Sequence, residues 1–100
     1  MNERTRNITE KIADVVKTFP LITEAVVIGS ATDNDFSFDE NIMLAVYTKP
    51  EANIATTCVE LNNAFGDKNL YNIDIYMMAD NDFYLEVHDL IDSGEVIFKR

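Results

Sequence analysis

The sequence predicts a mixed α+β domain, a small mixed sheet with helices packed on it. Three observations predict it. Short apolar runs and amphipathic helical stretches follow one another in the order α-β-β-α-β-α-β. The connection between the first two strands is too short for a parallel crossover, so they should pair antiparallel. The second strand, the next helix and the third strand read as a right-handed parallel βαβ crossover. No repeat, linker or low-complexity segment divides the 100 residues, so a single domain over 1–100 is expected.

Each element has its own signal. Ile8, Ile12, Val15, Val16 and Phe19 recur on one helical face, predicting a helix from about Glu3 to Thr18 that stops before Pro20. Ala25–Ile28 is a continuous apolar run ending at Gly29-Ser30 and reads as a buried strand. Ala31–Phe38 has loop or single-turn composition. Asn41–Thr48 predicts a second strand. Ile42, Leu44 and Val46 lie on one face; Asp39, Asn41, Met43, Ala45 and Tyr47 lie on the other. Pro50 should open a second helix with Ile54, Cys58, Leu61 and Phe65 as its apolar stripe and Gly66 as its stop. Leu70–Met78 alternates as a third strand, with Asp74 on the face shared by Leu70, Asn72, Tyr76 and Met78. Asp80 or Asn81 should cap a third helix that turns Phe83, Val87, Leu90 and Ile91 inward. Gly94 ends that helix, and Val96–Phe98 forms a last short strand.

Composition narrows the function. Eight Lys and Arg against 18 Asp and Glu give a net charge of −10. Such a surface lacks the clustered bases that phosphate backbones and anionic membranes require, so neither nucleic acid nor membrane is an expected partner. Cys58 is the single cysteine, which excludes an internal disulfide and a thiolate metal cluster. It sits on the apolar stripe of the second helix and reads as a small core residue. His88, the single histidine, has no assignable Ser or Cys partner. The polar start, Met1–Asn7, and the lack of an apolar run near twenty residues predict a cytoplasmic protein.

Val26–Val46 is the most informative stretch. A strand ends in Gly29-Ser30, a polar loop follows, and a second strand comes next. Glycine lets backbone approach a ligand closely, and exposed N–H groups beside a serine hydroxyl can hold phosphate oxygens. With the helix before it and Asp74 on a later strand, this order resembles the minimal nucleotidyltransferases of the DNA polymerase β-like superfold. The resemblance runs from Ile8 to Phe98 and includes the helix, glycine and short strand of Leu90–Phe98.

The resemblance implies a nucleotidyltransferase-like fold and a site in which three carboxylates hold two divalent ions around a nucleoside triphosphate. It places the phosphate-binding turn at Gly29 and Ser30, the first two metal positions at Asn41 and Met43, and the third at Asp74. Only Asp74 is a carboxylate. An Asn offers a neutral oxygen, and a Met thioether suits Mg²⁺ badly. The base often found after the family's Gly-Ser is absent, since Ala31, Thr32 and Asp33 follow. An alternative Asp-x-Asn pair, Asp39 with Asn41, would displace the metal site by about 7 Å along the strand.

Charge points the same way. Between Thr18 and Thr48 there is no Lys or Arg, while Glu24, Asp33, Asp35, Asp39 and Glu40 contribute −5. Without bound cations a triphosphate is repelled there. The expected function is therefore a degenerate nucleotidyltransferase-fold protein, catalytically weak or inactive, acting as an interaction module or antitoxin-like partner. It needs no cofactor; Mg²⁺ enters only if the site is active. The resemblance implies a protein partner, such as a helical HEPN-type protein, or a homodimer. Met43, Tyr47, Tyr76 and Met78 are the residues expected to make a partner surface. Two alternatives are an active Mg²⁺-dependent enzyme that moves a nucleoside monophosphate to a protein or small-molecule hydroxyl, and a nucleotide-binding sensor.

Overall fold

A computed structural model describes residues 1–37, 40–78 and 90–100. Helix α1 spans Glu3–Val16, strand β1 Ile22–Ile28, β2 Ile42–Thr48, helix α2 Ile54–Asp67, β3 Ile73–Met77 and β4 Glu95–Lys99. A single 3-10 turn, Gly29–Thr32, follows β1. The four strands form one mixed sheet in the order β3-β2-β1-β4. β1 pairs antiparallel with β2 and with β4, and β2 pairs parallel with β3. The antiparallel hairpin and the βαβ crossover therefore stand as the sequence predicts. No described helix is long and apolar enough to cross a membrane.

Strand alternation divides the sheet into two apolar faces. On one, Ala25 and Val27 of β1 and Leu44 and Val46 of β2 pack under Ile12 and Val16 of α1 and Leu61 and Phe65 of α2. On the other, Val26, Ile28, Ala45 and Met78 form a second cluster with Leu90 and Ile91 against it. β1 is thus buried on both faces and paired on both edges, which is why Ala25–Ile28 is an unbroken apolar run rather than an alternating one. Leu90 and Ile91 close the last helical turn and face inward as expected. The predicted cap at Asp80 or Asn81, Phe83, Val87 and His88 lie outside the described residues.

Local signals set the boundaries. The Asn2 side chain accepts from the Thr5 backbone N–H at 2.8 Å and caps α1. Its amide also donates to the carbonyls of Asn34 and Phe36, tying the helix start to the loop after the 3-10 turn. Pro50 does not open α2. It lies in a turn after β2, and Asn53 caps the helix through the Thr56 N–H at 3.0 Å. Gly66 does not stop α2 either. Asn69, at φ +59°, takes the left-handed position, with Leu70 N–H bonded to Phe65 C=O and Asn69 N–H to Gly66 C=O. That is a Schellman closure, and Leu70 buries beside Phe65 as its apolar contact. The third strand consequently begins at Ile73, not Leu70: Asn72 is also at positive φ, Leu70 belongs to the helix-side core and Tyr71 is exposed.

Arg100 ties β4 to the α1–β1 connection. Its guanidinium donates to the carbonyls of Ile22, Lys17 and Phe19 at 2.7, 3.0 and 2.9 Å, and it lies over the Phe98 ring. Gly94 lets the chain enter β4. A Cβ there would meet Val26 Cγ1 and the Val27 carbonyl oxygen at 2.8 Å each, and backbone oxygen cannot move aside.

The two glycines predict opposite outcomes. Gly66 is helical with open space around it, so Gly66→Ala should stabilise the fold by about 0.5–1 kcal/mol. Gly94→Ala should destabilise it by about 1–3 kcal/mol through overpacking against β1. Urea unfolding followed by circular dichroism measures both.

Candidate functional site

The candidate site forms where the end of β1 meets the starts of β2 and β3. β1 delivers Gly29 and Ser30 into the 3-10 turn. Gly29 adopts φ +73°, a left-handed backbone that favours glycine, and a Cβ there would stand 3.1 Å from the Met43 sulfur. The turn is closed by Asp33 N–H on the Ser30 carbonyl at 3.0 Å and by the Thr32 hydroxyl on the Gly29 carbonyl at 2.9 Å. Ser30 is exposed and Gly29 half-buried.

Parallel register places Met43 directly beside Asp74 on adjacent strands. Asn41 lies just before β2, and its side-chain amide donates to both Asp74 oxygens, at 3.2 and 3.3 Å. Gly29, Asn41, Met43 and Asp74 therefore converge. Met43 Sδ stands where a Gly29 Cβ would meet it, Met43 neighbours Asp74, and Asp74 accepts from Asn41. Asp39, the alternative metal position, lies outside the described residues. Among the described residues no three carboxylates, histidines or cysteines gather where they could hold a metal ion.

Sequence reasoning did not foresee the Asn41–Asp74 contact. The two are far apart in the chain, and the parallel register alone brings them into reach. The signal available was the side-chain chemistry. Replacing a carboxylate by an amide next to a carboxylate replaces a repulsion with a hydrogen bond.

The same face continues through Ala45, Tyr47, Tyr76 and Met78, with Met43 and both tyrosines half-buried against the second cluster. Tyr47 stands opposite Glu24 in the β1–β2 ladder. Burial raises the Tyr47 phenol above its ordinary value of 10.0, and the Glu24 charge adds to the rise.

The comparisons with known proteins can be set beside this geometry. The family model described as polymerase beta, nucleotidyltransferase matches residues 10–100. The chain belongs to this family. No curated protein sequence matches it significantly. Among solved structures, a Sulfolobus solfataricus protein proposed to be a nucleotidyltransferase, determined at 1.40 Å, superposes with a TM-score of 0.63 at 18% identity. The match covers 97% of this chain and 82% of that one, so the two share a fold.

The family's two-metal chemistry requires hard oxygen donors. The residues at the corresponding places do not fit it. Asn41 points N–H groups, not an oxygen, at Asp74, the one carboxylate of the three places, and donates to both of its oxygens. Met43 contributes a soft thioether.

Two outcomes follow from this geometry. Gly29→Ala should cost about 1–3 kcal/mol, because the left-handed backbone strain remains even if the flexible Met43 side chain yields. Removing the sulfur contact with Met43→Ala should therefore not restore the stability, as urea titration of the single and double variants will report. The raised Tyr47 value means that the folded chain holds the phenolic proton more tightly than the unfolded chain. That stability is fully present below about pH 10 and is lost as pH rises through the folded value. In Tyr47→Phe this alkaline component of the unfolding free energy should disappear.

Proposed function

We propose that this chain is a nucleotidyltransferase-fold protein without the family's metal-dependent transfer chemistry, and that it serves as an interaction module, an antitoxin-like partner for another protein. The observation that carries the reading is the bidentate contact from the Asn41 amide to Asp74. It turns N–H groups, which cannot ligate a cation, toward Asp74, the one carboxylate among Asn41, Met43 and Asp74. Met43 beside it supplies neither charge nor hard oxygen. The −5 between Thr18 and Thr48 opposes a triphosphate that arrives without cations. The apolar and phenolic surface of Met43, Tyr47 and Tyr76 suits contact with a protein, since Met and Tyr bury well at interfaces.

Calorimetric titration with ATP and Mg²⁺ tests this reading. The native protein should give no binding, whereas Asn41→Asp with Met43→Asp should bind the nucleotide only when Mg²⁺ is present. The same double variant should lose thermal stability without divalent ions, since three carboxylates then crowd one place, and regain it on Mg²⁺ addition. Micromolar, Mg²⁺-dependent binding by the native protein, abolished by Asp74→Ala, would overturn the reading in favour of a nucleotide site. A nucleotide adduct on a co-purifying protein, absent with Asp74→Ala, would establish transfer activity.

A further inference from the structure

The charge of −10 is unevenly placed. Met1–Pro20 carries four bases, Arg4, Arg6, Lys11 and Lys17, against Glu3, Glu10 and Asp14, a net of +1. The remaining eighty residues carry −11. The helical layer is thus the side on which two copies can approach with least repulsion.

On that side α1 and α2 leave an open groove of about 550 Å³. Val15 and Ala64 lie at its apolar base, and Lys11, Asp14, Asp67 and Lys68 line it as charged residues. α1 contributes Lys11 and Asp14, the end of α2 Asp67 and its C-cap Lys68, so the charged lining is neutral. Among the described residues neither Lys11 nor Lys68 has an ion pair, and Asp14 holds only the surface contact to Lys17 at 3.1 Å. A purely acidic or purely basic segment laid in this groove gains one pair of charges and is opposed by the other. A second copy related by a two-fold axis can satisfy both, with Lys11 and Lys68 facing Asp67 and Asp14 of the other copy. Small Ala64 allows the close approach that helix packing at 8–10 Å needs.

We propose that this groove is a self-complementary surface through which two copies of the chain pair, α1 and α2 of one copy against α2 and α1 of the other. The contact is isologous, so it closes at a dimer. It leaves the opposite sheet face, with Asn41 and Asp74, outside the interface in both copies.

Sedimentation of the native protein at about 150 mM salt, where the screening length is about 8 Å, should show a dimer at tens of micromolar. Ala64→Glu should weaken the association at least tenfold. Two charge variants, Lys11→Glu with Lys68→Glu and Asp14→Lys with Asp67→Lys, should each sediment as monomers, and their equimolar mixture should recover the dimer mass. The altered charges are exposed, so these variants decide the matter if Ala64→Glu does not fold. A native protein that stays monomeric overturns the proposal, as does a dimer untouched by folded Ala64→Glu or by either charge variant. So does a mixture that stays monomeric.

Discussion

The structure depends on the burial of β1 from four sides. Its residues Ala25–Ile28 contact helices on one sheet face, the second apolar cluster on the other, and neighbouring strands along both edges. The stretch Ala25–Ile28 is apolar throughout, because an unpaired polar group there would lose its water without replacement, whereas Thr23 and Glu24 earlier in β1 are only half-buried. Its neighbours are constrained in turn. Gly94 must lack a Cβ where the chain passes β1, and the turn at Gly29 must take a left-handed backbone where β1 ends. Burial of β1 therefore sets where the candidate site stands as well as how the core is packed.

The site shows how scaffold and chemistry separate. The register that sets Met43 beside Asp74 and brings Asn41 within hydrogen-bond reach comes from backbone pairing and the apolar pattern of the strands, not from the side chains of the site. What the place can do depends on the side chains alone. An amide facing a carboxylate needs no ion between them, whereas three carboxylates would. The family's fold is present in the chain, and beside Asp74 it carries an amide at Asn41 and a thioether at Met43. Fold membership does not by itself carry activity, which depends on the side chains placed on the fold.

The two faces of the sheet also differ in charge and shape. The helical layer is near neutral, and its groove alternates charges of both signs. The opposite face carries the half-buried tyrosines and thioethers of the second cluster, while the loop that follows β1 is tied to the start of α1. The pairing of copies and the partner contact proposed above would use different faces.

Much of this was legible in the sequence. Helical spacing at Ile8, Ile12, Val15 and Val16 marked α1. The alternation of Ile42, Leu44 and Val46 with Met43, Ala45 and Tyr47 marked both faces of β2. The short first connection and the helical second one determined which strand pairs are antiparallel and which parallel, because chain length limits the crossovers that can be made. The positions of Gly29, Ser30, Asn41, Met43 and Asp74 were marked by the resemblance to the family, and the side chains at those positions could be read directly. Tertiary structure decided the rest. Asn69 rather than Gly66 ends α2, because the Leu70 side chain finds the core only if the backbone turns left-handed there. β4 joins the open edge of β1, a long-range pairing that no local pattern encodes. The contact between Asn41 and Asp74, and the groove of alternating charge between α1 and α2, exist only after distant segments are packed. The sequence by itself determined which chemical groups are available. Only the folded chain decided which of them touch, because contact between residues far apart depends on register and packing and not on spacing.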